Sequence, residues 1–150
     1  SENILGDISV PQYPDINLSD VHEYIKLIYP DSSYRYWLIK EKLLNIDLQN
    51  IMNNIIQSKD NMIPKDTKLL GIKVEDSIAF VNLSQEFETS ANGDTVIMVN
   101  ISTIVNTLCN NDIFGIEKVV FLINGEQVQS IGPIVNDSYH ISNFKLQELY

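Results

Sequence analysis

The stretch from Ile63 to Phe87 constrains the fold more than any other part of the chain. It reads Ile-Pro-Lys-Asp-Thr-Lys-Leu-Leu-Gly-Ile-Lys-Val-Glu-Asp-Ser-Ile-Ala-Phe-Val-Asn-Leu-Ser-Gln-Glu-Phe. Two runs of period-2 alternation flank the polar pair Asp76-Ser77, which is the pattern of a β-hairpin. Leu70, Ile72 and Val74 fall on one face, and a two-residue turn sets Ala79, Val81 and Leu83 opposite them.

The flanking segments supply what such a face must pack against. Asp47 is a plausible N-cap, and Leu48, Ile51, Met52, Ile55 and Ile56 follow at helical spacing until Lys59-Asp60-Asn61. Beyond the polar loop 84–93, Asp94 is positioned to cap a second helix. Its apolar stripe is Ile97, Ile101, Ile104, Val105 and Leu108, ended by Asn110, Asn111 and Gly115. So many β-branched residues mean that packing must outweigh helix propensity there. Upstream, His22 to Tyr29 and Tyr34 to Leu44 read as strands around the turn cluster Pro30-Asp31-Ser32-Ser33. The first of these is apolar on both faces, which predicts cover on both. Downstream, Lys118 to Ile123 is a strand. Asn124-Gly125 is a type I′ turn signal, with a return through Glu126 to Ser130, and Gly132-Pro133 breaks the pattern.

The order is therefore β-β-α-β-β-α-β-β. It predicts an α+β domain over residues 21–150, a small mixed sheet with two helices packed on one face. Residues 1–20, with Pro11 and Pro14 and no sustained period, read as a linker or tail. Ile141, Phe144, Leu146 and Leu149 are available to anchor the C-terminal segment.

Charge excludes one class of partner. The formal charge is −10, so the basic footprint of a nucleic-acid binder is absent. Eight of the ten basic residues precede Glu75, which leaves an acidic later part, either a solvated surface or one that faces a basic partner. No apolar run reaches the ~18–20 residues of a membrane-spanning helix, and residues 1–20 do not read as a signal peptide. Cys109 is the single cysteine, so no internal disulfide forms.

The chemistry-bearing residues do not assemble into a catalytic or metal pattern. His22 and His140 are far apart and have no His or Cys neighbour at ligand spacing. Glu86, Glu88 and Asp94 bracket a loop but lack the alternating oxygen ligands and central glycine of a Ca²⁺ loop. Cys109 borders an apolar stripe, the setting of an inert thiol. Ser84 has no nucleophile elbow, and the six glycines are too dispersed for a phosphate loop. No metal or other cofactor is expected. Four Asn-X-Ser matches, at Asn17, Asn82, Asn100 and Asn136, carry weight only outside bacteria. Tyr34, Tyr36 and Trp37 cluster on the second strand, either as core packing or as a platform for sugars or peptides.

The chain resembles the GerM-type (GerMN) domain of bacterial sporulation and spore germination proteins. The residues that carry the likeness are Ile63-Pro64, Thr67-Lys68-Leu69-Leu70, Ala79-Phe80-Val81-Asn82-Leu83-Ser84 and Phe87. Val105-Asn106-Thr107-Leu108 and Val119-Val120-Phe121-Leu122-Ile123-Asn124-Gly125 extend it, and Tyr29-Pro30-Asp31 looks like the strand end that opens such domains. Asp66 and Ser77 stand where the family commonly has glycine. The resemblance implies an extracytoplasmic domain similar to the ring-building motifs of secretion-type assemblies. It implies work by protein–protein contact in spore formation, germination or a cell-envelope assembly. It also implies a lipoprotein anchor on the outer side of the cytoplasmic membrane; Cys109, inside a predicted helix, is not that anchor.

One feature suggests where contact is made. With Leu70, Ile72, Val74, Ala79, Val81 and Leu83 inward, Ile78 and Phe80 point to the opposite face. The same alternation turns Val119, Phe121 and Ile123 inward and Val120 and Leu122 outward. Ile78, Phe80, Val120 and Leu122 thus form a candidate interaction face, unless the N-terminal strands or the C-terminal tail cover it. The resulting expectation is a non-enzymatic domain with a protein partner and no nucleic-acid ligand, with any membrane attachment through a leader or lipid anchor. The alternative is a module that binds cell-wall glycan or peptide through the aromatic strand.

Overall fold

The structure, a computed structural model, describes residues 21–89, 93–132, 134–136 and 147–148. Residues 1–20, His140 and the anchor candidates Ile141, Phe144, Leu146 and Leu149 lie outside the described residues.

The central hairpin forms as its alternation dictates. Strands β3 (Leu69–Glu75) and β4 (Ile78–Leu83) pair antiparallel. Asp76 and Ser77 between them have φ of 52° and 64°, the left-handed pair that a type I′ turn requires. One residue departs from the pattern. The register slips between Leu69 and Gly71, so that Leu69 and not Leu70 lies opposite Leu83. A bulge inverts side-chain parity beyond it. Leu69 therefore packs on the core and Leu70 is 49% exposed, which corrects the inward placement of Leu70.

The other elements are β1 (His22–Pro30), β2 (Tyr36–Asn45), α1 (Leu48–Gln57), α2 (Asp94–Cys109), β5 (Lys118–Ile123), and the two-residue strands β6 (Ser130–Ile131), β7 (Ile134–Val135) and β8 (Gln147–Glu148). Among the described residues the strands do not join into one sheet. The orders are β1-β2-β8, β3-β4-β5 and β6-β7. β5 runs parallel to β4, with α2 as the crossover that a parallel pair needs.

Asp47 caps α1 by accepting a hydrogen bond from the Gln49 amide at 3.1 Å. For α2, Gly93 (φ 96°) takes the N-cap position, and Asp94 is the first helical residue instead. Its carboxylate still lies in the first turn, where the helix dipole favours it. Ala79, Val81, Leu83, Val119, Phe121 and Ile123 share one core with Ile51, Met52, Ile55 and Ile56 of α1 and with Ile97, Ile101, Ile104, Val105 and Leu108 of α2. Both helices thus cover the same sheet face. Phe87, in a short 3₁₀ turn after β4, stacks on Phe121 with ring centroids 5.8 Å apart.

α2 is more deeply enclosed than its apolar stripe suggests. Val96, Val99, Asn100, Ser102, Thr103, Asn106 and Thr107 are buried as well, because β1 lies along its other flank. β1 is an edge strand, and an uncovered edge leaves backbone groups unpaired. Here α2 and the segment just after it supply the partners. Thr107 Oγ1 accepts from the Ile28 amide at 3.0 Å and donates to the Ile28 carbonyl at 3.2 Å. One helical turn later, Asn111 Oδ1 accepts from the Lys26 amide at 2.9 Å while its Nδ2 donates to the Lys26 carbonyl at 3.0 Å. The next position of that parity on β1 is Pro30, which has no N–H to satisfy.

The return from Asn124-Gly125 is only partly as expected. The turn has φ of 51° and 83°, but a single bridge, Ile123 to Glu126, follows it. A full return strand is precluded because Asn136 Nδ2 reaches both the Phe121 and the Val128 carbonyls, at 2.9 and 2.7 Å. Strand pairing resumes at Ser130–Ile131 with Ile134–Val135, across a turn that contains Gly132 (φ 57°).

Candidate interaction surfaces

Strand register brings the candidate residues together. Phe80 stands opposite Val120 on one side and Lys73 on the other. Ile78 faces Lys118 and Glu75, and Leu122 faces Asn82. The four apolar side chains therefore share the sheet face remote from the helices. A Lys73–Glu75 ion pair of 3.5 Å and the bond from the Gly125 amide to Asn82 Oδ1, at 2.8 Å, edge it with polar groups. The face is less open than alternation implies. Val120 is buried, and Ile78, Phe80 and Leu122 are half-buried. Of the N-terminal strands, β1 packs on α2 and β2 on α1.

A second apolar surface escaped the sequence reading. In the β1–β2 hairpin, Tyr24 pairs with Leu43, Lys26 with Glu41 and Ile28 with Ile39. Tyr24 is 70% exposed, Leu43 51% and Ile39 48%. The other face of the hairpin contributes Ile25 and Leu44 to the main core. β1 is thus covered on both faces only toward its end, where Ile28 joins Trp37 and Val99 in a smaller cluster. The double cover expected along β1 fails at Tyr24, which is left 70% exposed. The signal was present in the alternation, but two apolar faces in one strand conceal which of them is dry.

The aromatic cluster of β2 is not an open platform. Trp37 is buried at 5% exposure, and Tyr34 packs against it. The turn before β2 is built by Asp31, whose Oδ1 accepts from the amides of Arg35 and Tyr36 and whose Oδ2 accepts from Ser33 Oγ. The Ser33 hydroxyl, ahead of the two amides, holds the Asp31 carboxyl below its ordinary value. Partial desolvation opposes the shift.

The C-terminus of α1 carries no basic residue in its last turn, and Lys65 fills that role from outside. Its Nζ donates to the carbonyls of Ile56 and Ser58 at 2.8 and 2.6 Å and to Asn61 Oδ1 at 2.9 Å. Burial pulls the Lys65 ammonium below the ordinary lysine range, against the nearby Asp60 charge. Glu86 is also held low, first by its bond with Ser84. Cys109, the last residue of α2, is half-buried. Among the described residues no three His, Cys, Asp or Glu side chains converge as metal ligands. No helix among them is long and apolar enough to cross a membrane.

These elements define an α+β domain with a two-helix layer against a small mixed sheet, and its relatives have the same build. Residues 26–129 match the family described as sporulation and spore germination (Germane). The chain belongs to that family. Among solved structures, it superimposes on a Clostridium perfringens protein assigned as a lipoprotein, at 21% identity and a TM-score of 0.50, covering 87% of this chain and 95% of that one. It also matches the tandem GerMN domains of the sporulation protein GerM from Bacillus subtilis, at 18% identity and a TM-score of 0.57, over 78% of this chain and 46% of that one. The chain thus spans about half of the tandem structure. At these identities the likeness is one of fold. No curated protein matches the sequence.

Proposed function

We propose that this domain works by contact and not by turnover, as a protein-interaction domain on the extracytoplasmic side of the cell envelope. The family's description in terms of sporulation and germination, and the lipoprotein assigned to one fold relative, support that setting. The observation that carries the reading is the exposed hairpin face of Tyr24, Ile39 and Leu43. Tyr24 and Leu43 are cross-strand neighbours, with Ile39 beyond the Lys26–Glu41 pair. Large apolar side chains lose water when a partner seats on them, and an aromatic in such a patch often dominates the binding energy. Ile78, Phe80 and Leu122, with Val120 beneath them, are proposed as a second, shallower contact.

The two faces are separable by mutation. Tyr24→Lys with Leu43→Lys alters exposed positions and leaves the thermal melt unchanged. It abolishes a crosslink that a photoreactive side chain at position 39 forms with one envelope protein in the native host. Phe80→Asp, at a half-buried site, lowers the melting temperature and also weakens that crosslink if the sheet face takes part. Undiminished crosslinking in both variants refutes the proposal.

A further inference from the structure

Between the β1–β2 hairpin, the C-terminal half of α1 and the middle of α2 lies a trough of about 550 Å³. A neighbouring hollow of about 530 Å³ continues it, and Tyr29, Lys59, Asp60 and Asn61 line both. Each is within the ~300–1,000 Å³ typical of sites for small ligands.

The walls are electropositive in a strongly acidic chain. Lys40, Lys42 and Lys59 line the trough against a single carboxylate, Asp60. Lys40 stands 3.8 Å from Asp60, and Lys42 gives a hydrogen bond to Asn54 at 3.1 Å. An ammonium has three donors and no acceptor, so these contacts leave hydrogen-bond donors in excess. Asn53 and Gln57 add amide groups to the rim, while Leu27 and Ile55 give an apolar floor. The scaffold is held in place: Asn61 is bonded to the Ile55 carbonyl, to the Ile63 amide and to Lys65.

A peptide strand cannot add to the β1 edge here. The outward amides and carbonyls of Lys26 and Ile28 are already taken by Asn111 and Thr107, and strand addition depends on such groups being free. Spare cationic donors, neutral amides and an apolar floor beside Tyr29 instead suit a ring with hydroxyls on its edge, an apolar face and an acidic substituent. We infer that this trough binds a carboxylate-bearing oligosaccharide, with the acid held by the lysines and a sugar ring lying over Leu27 and Tyr29. The site is distinct from the Tyr24–Leu43 face, so each can fail without the other.

The test is a ¹⁵N-resolved NMR titration of the whole chain with three probes. These are a tetrasaccharide of alternating N-acetylglucosamine and N-acetylmuramic acid, neutral chitotetraose, and inorganic phosphate. The acidic tetrasaccharide shifts the amides of Leu27, Asn53, Asn54 and Lys59. It binds about tenfold more tightly than chitotetraose, and its affinity falls as salt rises. Lys42→Gln and Lys59→Gln, both at exposed positions, each weaken it about threefold or more while the melting curve is retained. The inference is overturned by no shift at ~10 mM tetrasaccharide, by equal affinity for chitotetraose, or by phosphate alone reproducing the shifts. Shifts confined to residues outside the trough overturn it as well.

Discussion

Thr107→Val should destabilise the domain far more than its near-identical shape suggests. The Thr107 side chain is fully buried, and its hydroxyl both accepts from the Ile28 amide and donates to the Ile28 carbonyl. Valine fills the same volume but turns a methyl group toward both. Each buried polar group left unsatisfied costs ~1–3 kcal/mol, so the pair sums to about 2–6 kcal/mol. Thr103→Val is the matched control. Thr103 is also buried, one turn earlier, but its hydroxyl bonds only to the Val99 carbonyl of its own helix. That carbonyl keeps its helical partner in the variant. Threonine and valine have nearly equal helix propensity, so the control should lose less than ~1 kcal/mol. Urea melts of the two variants give the difference, and amide exchange at Ile28 should accelerate in Thr107→Val alone. Losses within ~0.5 kcal/mol of each other, or an unchanged Ile28 amide, would refute the claim that α2 side chains complete the β1 edge.

Two further outcomes are expected. Ser77 holds φ of 64°, a conformation that costs an L-residue roughly 1–2 kcal/mol and glycine little. Set against glycine's greater freedom in the unfolded chain, Ser77→Gly should gain roughly 0.5–1 kcal/mol in a thermal melt, and a loss would show that the serine side chain contributes to the turn. Asp31 has a carboxyl depressed in the folded state, chiefly by Ser33 Oγ, so the unfolded chain binds its proton more readily. Its contribution is present in full above the ordinary aspartate pKa of about 4 and is lost as pH falls through the lower folded value. Asp31→Asn should therefore melt below the parent at neutral pH and approach it in acid, whereas a gap that stays constant with pH would exclude this linkage.

Much of the architecture was legible because it rests on local periodicity. The alternation on either side of Asp76-Ser77, the helical spacing from Leu48 to Ile56, the Asp47 cap and the left-handed turn at Asn124-Gly125 all depend on residues within one or two turns of each other. Those features needed no knowledge of the rest of the chain, and the apolar faces they present are the ones that meet in the core of Ile101, Ile104, Val81 and Phe121. The family likeness was legible for the same reason, since it resides in the order of these short segments.

Other features were settled only by contacts between distant segments. The bulge that turns Leu70 outward lies in β3, which pairs with β4 and packs on α1. The β1 edge is taken not by another strand but by Thr107 of α2 and by Asn111 just beyond it, about eighty residues away in sequence. Nothing in local spacing distinguishes a threonine that caps a strand from one that bonds back to its own helix, as Thr103 does. The exposed Tyr24–Leu43 pair and the lysine-lined trough are likewise consequences of where α2 stops covering the hairpin. Sequence alone determined which elements form and which faces are apolar, because those depend on neighbours along the chain. Which apolar face stays wet, and where the basic residues of an acidic protein gather, was decided by tertiary packing, because solvent is excluded only by what lies on the other side.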